Sequence, residues 1–352
     1  MFAPTTVSPA PVSTPPEVAQ QSAKLLGHYA GYLGTWTIDL GLRSGLLAEL
    51  AALAEPASAD RLAERLGLDP LYTRVWCRSA YAAGVLDLVG ETAYTLAPHM
   101  GTLLLNSDAP GYLGGIARTF VALRESFVDL RELIKTGAHE WWSDFDPEWI
   151  QAVGDSGQAF YRRMLNAVVP QLPAVRAKLE AGGRVLDLAC GVCNGPIKIA
   201  RTFPATSFTG VDGDQYTLEQ ARANLARQGL AERFELVQSP LEDLTRRDSY
   251  DVAIINISLH EARDIERVVA NARRALREGG VFLVSEFPFP ESVEACRALP
   301  AQIMCGIQFF EAHIGCQLLP TSRFIELLNR AGFRDVAPID VSPVHVVIHG
   351  TK

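Results

Sequence analysis

The chain has 352 residues, enough for two domains with separate cores, and its 48% hydrophobic and 20% charged content is ordinary for a globular protein. A net charge of −8 argues against a nucleic-acid binder, which usually presents a basic face. No run approaches the roughly 18 apolar residues of a membrane span, no secretory leader opens the chain, and six cysteines fit a reducing cytoplasm better than a disulfide framework.

Residues 1–17 are rich in Pro, Ser and Thr and nearly uncharged, which predicts a disordered tail. Helical patterning starts near Val18. "SADRLAERLG" reads as a short helix, and "LDPLYTRVWCRSAYAAG" as a second, with Asp69 as N-cap and Pro70 at its first position. "GVLDLVGETAYTLAP" is strand, turn, strand, so residues 18–110 follow a winged-helix plan. The segment 111–180 reads as a helical linker, with Phe120, Leu123, Phe127, Leu130 and Leu133 at helical spacing in one long amphipathic stretch.

From residue 181 to 352 strands and helices alternate: "GRVLDLA", "GPIKIARTF", "SFTGVD", "QYTLEQARANLARQG", "RFELVQS", "YDVAIINIS", a helix "ARDIERVVANARRALREGG" closed by glycines, then strand "VFLVSEF". This alternation predicts an α/β fold with a parallel, doubly wound sheet and a ligand at the strands' carboxyl ends. The last two strands, "RDVAPID" and "PVHVVIHG", are joined by a turn too short for a crossover and must pair antiparallel.

The loop after the first of these strands runs Asp187, Leu188, Ala189, Cys190, Gly191, Val192, Cys193, Asn194, Gly195. It lacks the three glycines of a dinucleotide loop. As a CxxC pair it has no further cysteines at zinc-ligand spacing and the wrong strand–helix context for a thioredoxin-type motif, so no metal site is expected. Asp212 ends the second strand in "GVDGD", where a carboxylate with two acceptor oxygens matches a ribose diol.

Asp187, its small-residue turn, Asp212 and the antiparallel final pair resemble class I S-adenosylmethionine-dependent methyltransferases, in particular small-molecule O-methyltransferases with an N-terminal winged-helix dimerisation domain. The resemblance covers about residues 20–350. It implies a Rossmann-like seven-stranded sheet with an antiparallel last strand, and S-adenosyl-L-methionine as cofactor with S-adenosyl-L-homocysteine as product. Ala189 and Cys193 stand where the family has glycines. Asp187, Ala189, Cys190, Gly191, Asn194, Asp212 and Gly213 would line the cofactor, with Leu241 at the adenine, Asn256 beside it, and Phe160 and Tyr161 touching it from "QAFYRRM". The fourth strand leads into "NISLHEARD", which places His260 and Glu261 where the family often reads His-Asp-Trp, with the histidine as general base. Trp142, Arg163, Phe309, Phe310 and His313 are candidates for the acceptor wall. The implied partner is a second copy of the chain, joined through the N-terminal domain, with no nucleic acid or membrane.

Three activities follow as expectations. The first is O-methylation of a small-molecule hydroxyl with His260 as base. The second is S-methylation of a thioether acid such as 4-methylthio-2-hydroxybutyrate to a sulfonium, as in the enzymes making dimethylsulfoniopropionate. The third, of a different class, is a winged-helix DNA-binding ligand sensor, which the apolar content of the would-be recognition helix disfavours.

Overall fold

The computed structural model describes residues 17–107, 109, 111–126, 130–145 and 147–352. The tail expected over residues 1–17 therefore lies, Glu17 excepted, outside the described residues, as does Phe127. The chain divides into two compact units, one ending at Pro98 and one running from His99 to Lys352.

In the first unit the order is α1 (Val18–Arg43), α2 (Leu46–Ala52), β1 (Ala57–Ser58), α3 (Ala59–Leu66), α4 (Pro70–Ala82), β2 (Leu86–Val89) and β3 (Ala93–Leu96). Local chemistry sets the boundaries. The Ser58 hydroxyl accepts from the backbone N–H of Arg61 to start α3, and Asp69 accepts from that of Tyr72 to start α4, whose first residue is Pro70. The three strands form an antiparallel sheet in the order β1-β3-β2. Leu47, Leu62, Trp76, Cys77 and Leu86 are buried in this unit, and the Trp76 indole donates to the carbonyl of Thr37 at 2.9 Å. By contrast, Leu25, Tyr29, Tyr32, Leu33 and Leu40 on α1, and Leu71, Tyr72 and Val75 on α4, are exposed.

The second unit begins with helices α5 (Met100–Leu104), α6 (Gly114–Ser126), α7 (Leu130–Thr136), α8 (Pro147–Arg163) and α9 (Pro173–Glu180). Helices α6 and α7 lie along the stretch expected to be amphipathic helix. The alternating part follows: β4 (Arg184–Leu188), α10 (Asn194–Thr202), β5 (Ser207–Asp212), α11 (Gln215–Arg227), β6 (Phe234–Gln238), β7 (Tyr250–Asn256), α12 (Ile265–Ala275), β8 (Leu276–Glu286), α13 (Leu299–His313), α14 (Thr321–Arg330), β9 (Arg334–Ser342) and β10 (His345–Thr351). These seven strands form one sheet in the order β6-β5-β4-β7-β8-β10-β9. It is parallel through β8, while β10 runs antiparallel to both β8 and β9. The expected α/β architecture with an antiparallel final strand is borne out. The glycines expected to close α12 do not cap it. The helix ends at Ala275 and the chain turns directly into β8, which carries Gly279 and Gly280 near its start.

Both faces of the sheet are covered, which is why its central strands read as nearly unbroken apolar runs. Leu186, Leu188, Ile255, Phe282 and Val284 pack with residues of α12 and α14 on one face. Val185, Ile254 and Leu283 pack with Tyr161, Met164 and Val168 on the other. Sequential strands diverge to either side of β4, so a crevice opens above the carboxyl ends of β4 and β7. Among the described residues no helix is long and apolar enough to cross a membrane.

Helix α8 sits on this crevice because Gly195 lets it. A Cβ at Gly195 would lie 2.1 Å from the ring of Tyr161. Gly195→Ala should therefore cost about 1–3 kcal/mol of stability through forced repacking, read as a lower urea midpoint, and Tyr161→Ala in the same chain should recover part of that loss.

Candidate active site

The loop between β4 and α10 keeps the backbone course that glycines would have made easy. Ala189 and Cys193 both hold positive φ, 54° and 62°, as does Gly191 at 54°. Each non-glycine residue held there costs on the order of 1–2 kcal/mol, so the turn is held by its surroundings. The Cys190 N–H donates to the Val211 carbonyl at 3.1 Å, and the Gly191 N–H donates to Oδ2 of Asp212 at 3.0 Å. Cys190 and Cys193 are buried, and the neighbouring Cys193 together with burial pushes the Cys190 thiol well above its ordinary range. That environment suits packing, not thiolate chemistry.

Asp187 is buried. Its Oδ1 accepts from the Tyr161 hydroxyl at 2.7 Å, while Oδ2 has no hydrogen-bond partner among the described residues. Burial pushes this carboxyl up to about 7, the Tyr161 bond pulls it down, and Asp212 pushes it up again. Asp212 receives backbone N–H groups of Gly191 on Oδ2 and Asp214 on Oδ1, each at 3.0 Å, and each oxygen keeps a second acceptor direction for a diol. Nothing lies within 4 Å of where a Cβ would stand on Gly191 or Gly213. An unpartnered buried carboxylate oxygen, a second carboxylate and two open glycine positions fit a ligand that carries a cation, a diol and a flat body needing close backbone approach. Asn194 opens α10, and its Oδ1 accepts from Asn224 at 3.2 Å.

The other residues expected at the cofactor each have protein partners. The Tyr161 hydroxyl is spent on Asp187 and the ring on Gly195. Phe160 packs edge-on against His345 at 4.7 Å and Phe287 at 5.5 Å. Leu241 lies in a short turn, partly buried against the core. Beside it, Glu242 accepts from the Asp264 N–H and Asp243 pairs with Arg267, so both carboxylates anchor the start of α12.

Beyond the end of β7 lies a buried charged array. His260 Nδ1 is 2.8 Å from Glu286 Oε2, and Nε2 is 3.2 Å from Glu311 Oε2. The other Glu286 oxygen accepts the Leu259 N–H at 3.0 Å. Burial alone would depress the histidine, but Glu286 and Glu311 outweigh it and hold His260 well above 6.5. With a carboxylate oxygen at each ring nitrogen, the array favours the doubly protonated imidazolium. Glu261 accepts from the Trp142 indole at 2.9 Å, and burial, reinforced by Glu311, raises it to about 8. Donor atoms of His260, Glu261 and Glu311 lie within 4.8 Å of one another, close enough to share one cation.

The expected acceptor wall is partly assembled. Phe310 is buried against Trp142, Phe145 and Trp149 at 5.7, 5.6 and 5.2 Å. His313 is buried with Nε2 3.0 Å from Glu140. Phe309, beside Phe310 on α13, is 54% exposed. Arg163 is buried, donates to the Tyr112 carbonyl at 3.3 Å and lies 5.4 Å over the Phe160 ring.

Glu286, Glu311, Ser285 and His345 were not anticipated. Glu286 and Ser285 sit at the end of an apolar strand and Glu311 inside a helix, with no motif to mark them. Asn256, Ser285 and His345 form a chain: Ser285 Oγ donates to Asn256 Oδ1 at 2.7 Å and is 2.9 Å from His345 Nε2. The tautomer follows from the surroundings. Burial and Arg163 hold His345 neutral, down to about 3, and its Nδ1 has no partner among the described residues. A bare acceptor facing a cation is tolerable, whereas a stranded buried N–H is rarer. So Nε2 carries the proton, Ser285 relays it to Asn256 Oδ1, and the Asn256 amide N–H₂ is left for the Gly157 side. Ile257, next in the chain, holds a φ of 53°, an outlier for a β-branched residue.

A histidine held below its unfolded value loses stability as pH falls. Between about 3 and 6.5 the unfolded chain binds the extra proton. Relative to His345→Gln, which keeps a donor near Nε2, the wild type should lose about 1.4 kcal/mol per pH unit below 6.5. Urea titrations of both proteins across that range give the difference directly.

Residues 185–280 match the family described as a methyltransferase domain. The chain is 27% identical over 157 residues to the sterol 24-C-methyltransferase of Aspergillus fumigatus, covering 44% of this chain and 41% of the relative. It spans less than half the length of the first curated relatives it matches. It superposes on an O-methyltransferase family protein from Burkholderia thailandensis with a TM-score of 0.65, 18% identity and coverage of 96% and 99% of the two chains. The mitomycin 7-O-methyltransferase MmcR gives a TM-score of 0.65 at 20% identity, with 95% and 98% covered. Residues 185–280 are thus a methyltransferase domain, set in a chain with the class I fold of the O-methyltransferase-like proteins.

Proposed function

We propose that the chain transfers a methyl group from S-adenosylmethionine to a hydroxyl of a small molecule, the array around His260 receiving the hydroxyl proton. The observation that carries this reading is the buried histidine held on both ring nitrogens by carboxylates, beside the crevice that the Asp187 and Asp212 carboxylates line. Asp187, Gly191, Asp212 and Gly213 would hold the cofactor, which supplies a methyl group already activated as a sulfonium.

The chain's part is then orientation and proton removal. Holding the acceptor in line with the methyl group supplies on the order of 7–11 kcal/mol. A resting imidazolium is not itself a base. His260 can take a proton only as Glu311 takes the one on Nε2, so Glu286, His260 and Glu311 work as one acceptor. The acceptor's O–H bond breaks and its proton enters this array, which leaves the oxygen able to take the methyl group that the bound cofactor would supply. Glu286, bound also to the Leu259 N–H, fixes the ring for this exchange.

A second reading rests on the aromatic cluster of Trp142, Phe145 and Phe310, which abuts Glu261. Ring faces beside a carboxylate suit a cationic product, as in S-methylation of a thioether acid such as 4-methylthio-2-hydroxybutyrate. No proton is lost there, and His260 only shapes the pocket.

The exposed apolar rows on α1 and α4 support a second copy of the chain as partner of the N-terminal unit. On α4, Arg74 is paired with Asp60, which leaves little cationic surface for a DNA sensor.

Calorimetry should show S-adenosylmethionine binding that Asp212→Ala greatly weakens. In an acceptor screen, His260→Ala should lower turnover of the best hydroxyl substrate about 10²–10⁴-fold with cofactor affinity kept. A mild loss, together with turnover of thioether acids, would move the assignment to S-methylation. Light scattering should give twice the chain mass, and Leu33→Asp with Tyr29→Asp should give monomers.

A further inference from the structure

Resting on the cofactor reading above, we propose that Tyr161 is a positioning residue that reads the cofactor's amino-acid end through Asp187, aiming the unpartnered Oδ2 at the ligand's ammonium group without touching the ligand itself.

The geometry leaves Tyr161 little other use. It is 5% exposed, and its ring is seated where any side chain at Gly195 would collide with it. With the ring fixed, the hydroxyl points one way, into Oδ1 of Asp187 at 2.7 Å. That bond sets the carboxylate plane and so the direction of Oδ2, which lies buried with no partner among the described residues. An unpartnered buried carboxylate oxygen is costly to leave unmatched, and a cation is its best complement. Among the described residues, the groups that act on Asp187 or its partner are Tyr161 on α8, Asp212 at the end of β5 and the thiols of Cys190 and Cys193 on the loop. None of these is cationic. The positive charge has to arrive with the ligand.

The same pairing gives binding a pH dependence of definite sign. Only ionised Asp187 attracts an ammonium group. Burial lifts this carboxyl to about 7 even with the Tyr161 bond pulling it down. Affinity for an ammonium-bearing ligand should rise with pH up to about 7 and then level off. Removing the Tyr161 hydroxyl removes a downward pull, so the midpoint must move to higher pH.

The test uses two probes on the full chain. S-adenosylhomocysteine carries the amino-acid end, and 5′-methylthioadenosine carries the same nucleoside and sulfur without it. Calorimetry from about pH 5.5 to 8.5 is run on wild type, Tyr161→Phe and Asp187→Asn. We expect Tyr161→Phe to weaken S-adenosylhomocysteine about tenfold near neutral pH, as one unit of midpoint shift implies, and to move its midpoint upward. Affinity for 5′-methylthioadenosine should stay as in wild type, and Asp187→Asn should flatten the pH profile. An unchanged midpoint in Tyr161→Phe overturns the proposal. So does equal weakening of both probes, which would mark Tyr161 as packing only. If wild type binds neither probe at any pH, the cofactor reading fails and this inference with it. If wild type binds 5′-methylthioadenosine and S-adenosylhomocysteine equally, the site is kept and only the role given to Asp187 and Tyr161 falls.

Discussion

The hydrogen bond between Tyr161 and Asp187 is the joint on which the second unit's site depends. It fastens helix α8 to the end of β4, directly below the loop whose backbone must approach a ligand. The helix that bears Tyr161 also bears Phe160 and Arg163, which face the chain of His345, Ser285 and Asn256. One buried contact therefore ties the Asp187 end of the crevice to the helix that faces His345. Its formation requires a glycine at position 195 and a carboxylate tolerant of burial, and both are present.

The two halves of the crevice treat charge differently. Among the described residues no cation pairs with Asp187 or Asp212, a field suited to a positively charged ligand. Around His260 the histidine's charge is compensated on both sides, so a proton can enter without creating an isolated charge in a dry place. The two environments stand at the ends of neighbouring strands, β4 and β7, so the carboxylate pair and the histidine array are brought close by sheet topology.

The strained loop shows how tertiary structure overrides local preference. By propensity, Ala189 and Cys193 are poor replacements for glycine, yet both adopt the left-handed conformation. The backbone is held by the Val211 carbonyl and the Asp212 carboxylate on the adjoining strand, contacts that a local reading of the loop cannot count. The misplaced end of α12 has a similar origin. Gly279 and Gly280 look like a helix stop, but pairing of β8 with β7 begins at Leu276, before them, and pairing with β10 follows from Val281, so the residues are claimed as strand.

The sequence by itself determined the alternation of strands and helices, the antiparallel end of the sheet, the cap at Asp69, and the positions of Asp187, Asp212 and His260. Each of these is written in short-range patterns of burial, turn chemistry or motif spacing. Only the tertiary structure decided the partners of those residues. Glu286 and Glu311 reach His260 from 26 and 51 residues away, and Tyr161 reaches Asp187 from 26. Those separations carry no periodicity, because they are set by which strand ends and helices the sheet brings side by side. The same reason sent Phe310 into the aromatic cluster and its neighbour Phe309 outward. Successive residues on a helix point about 100° apart, and the core accepts only one of the two.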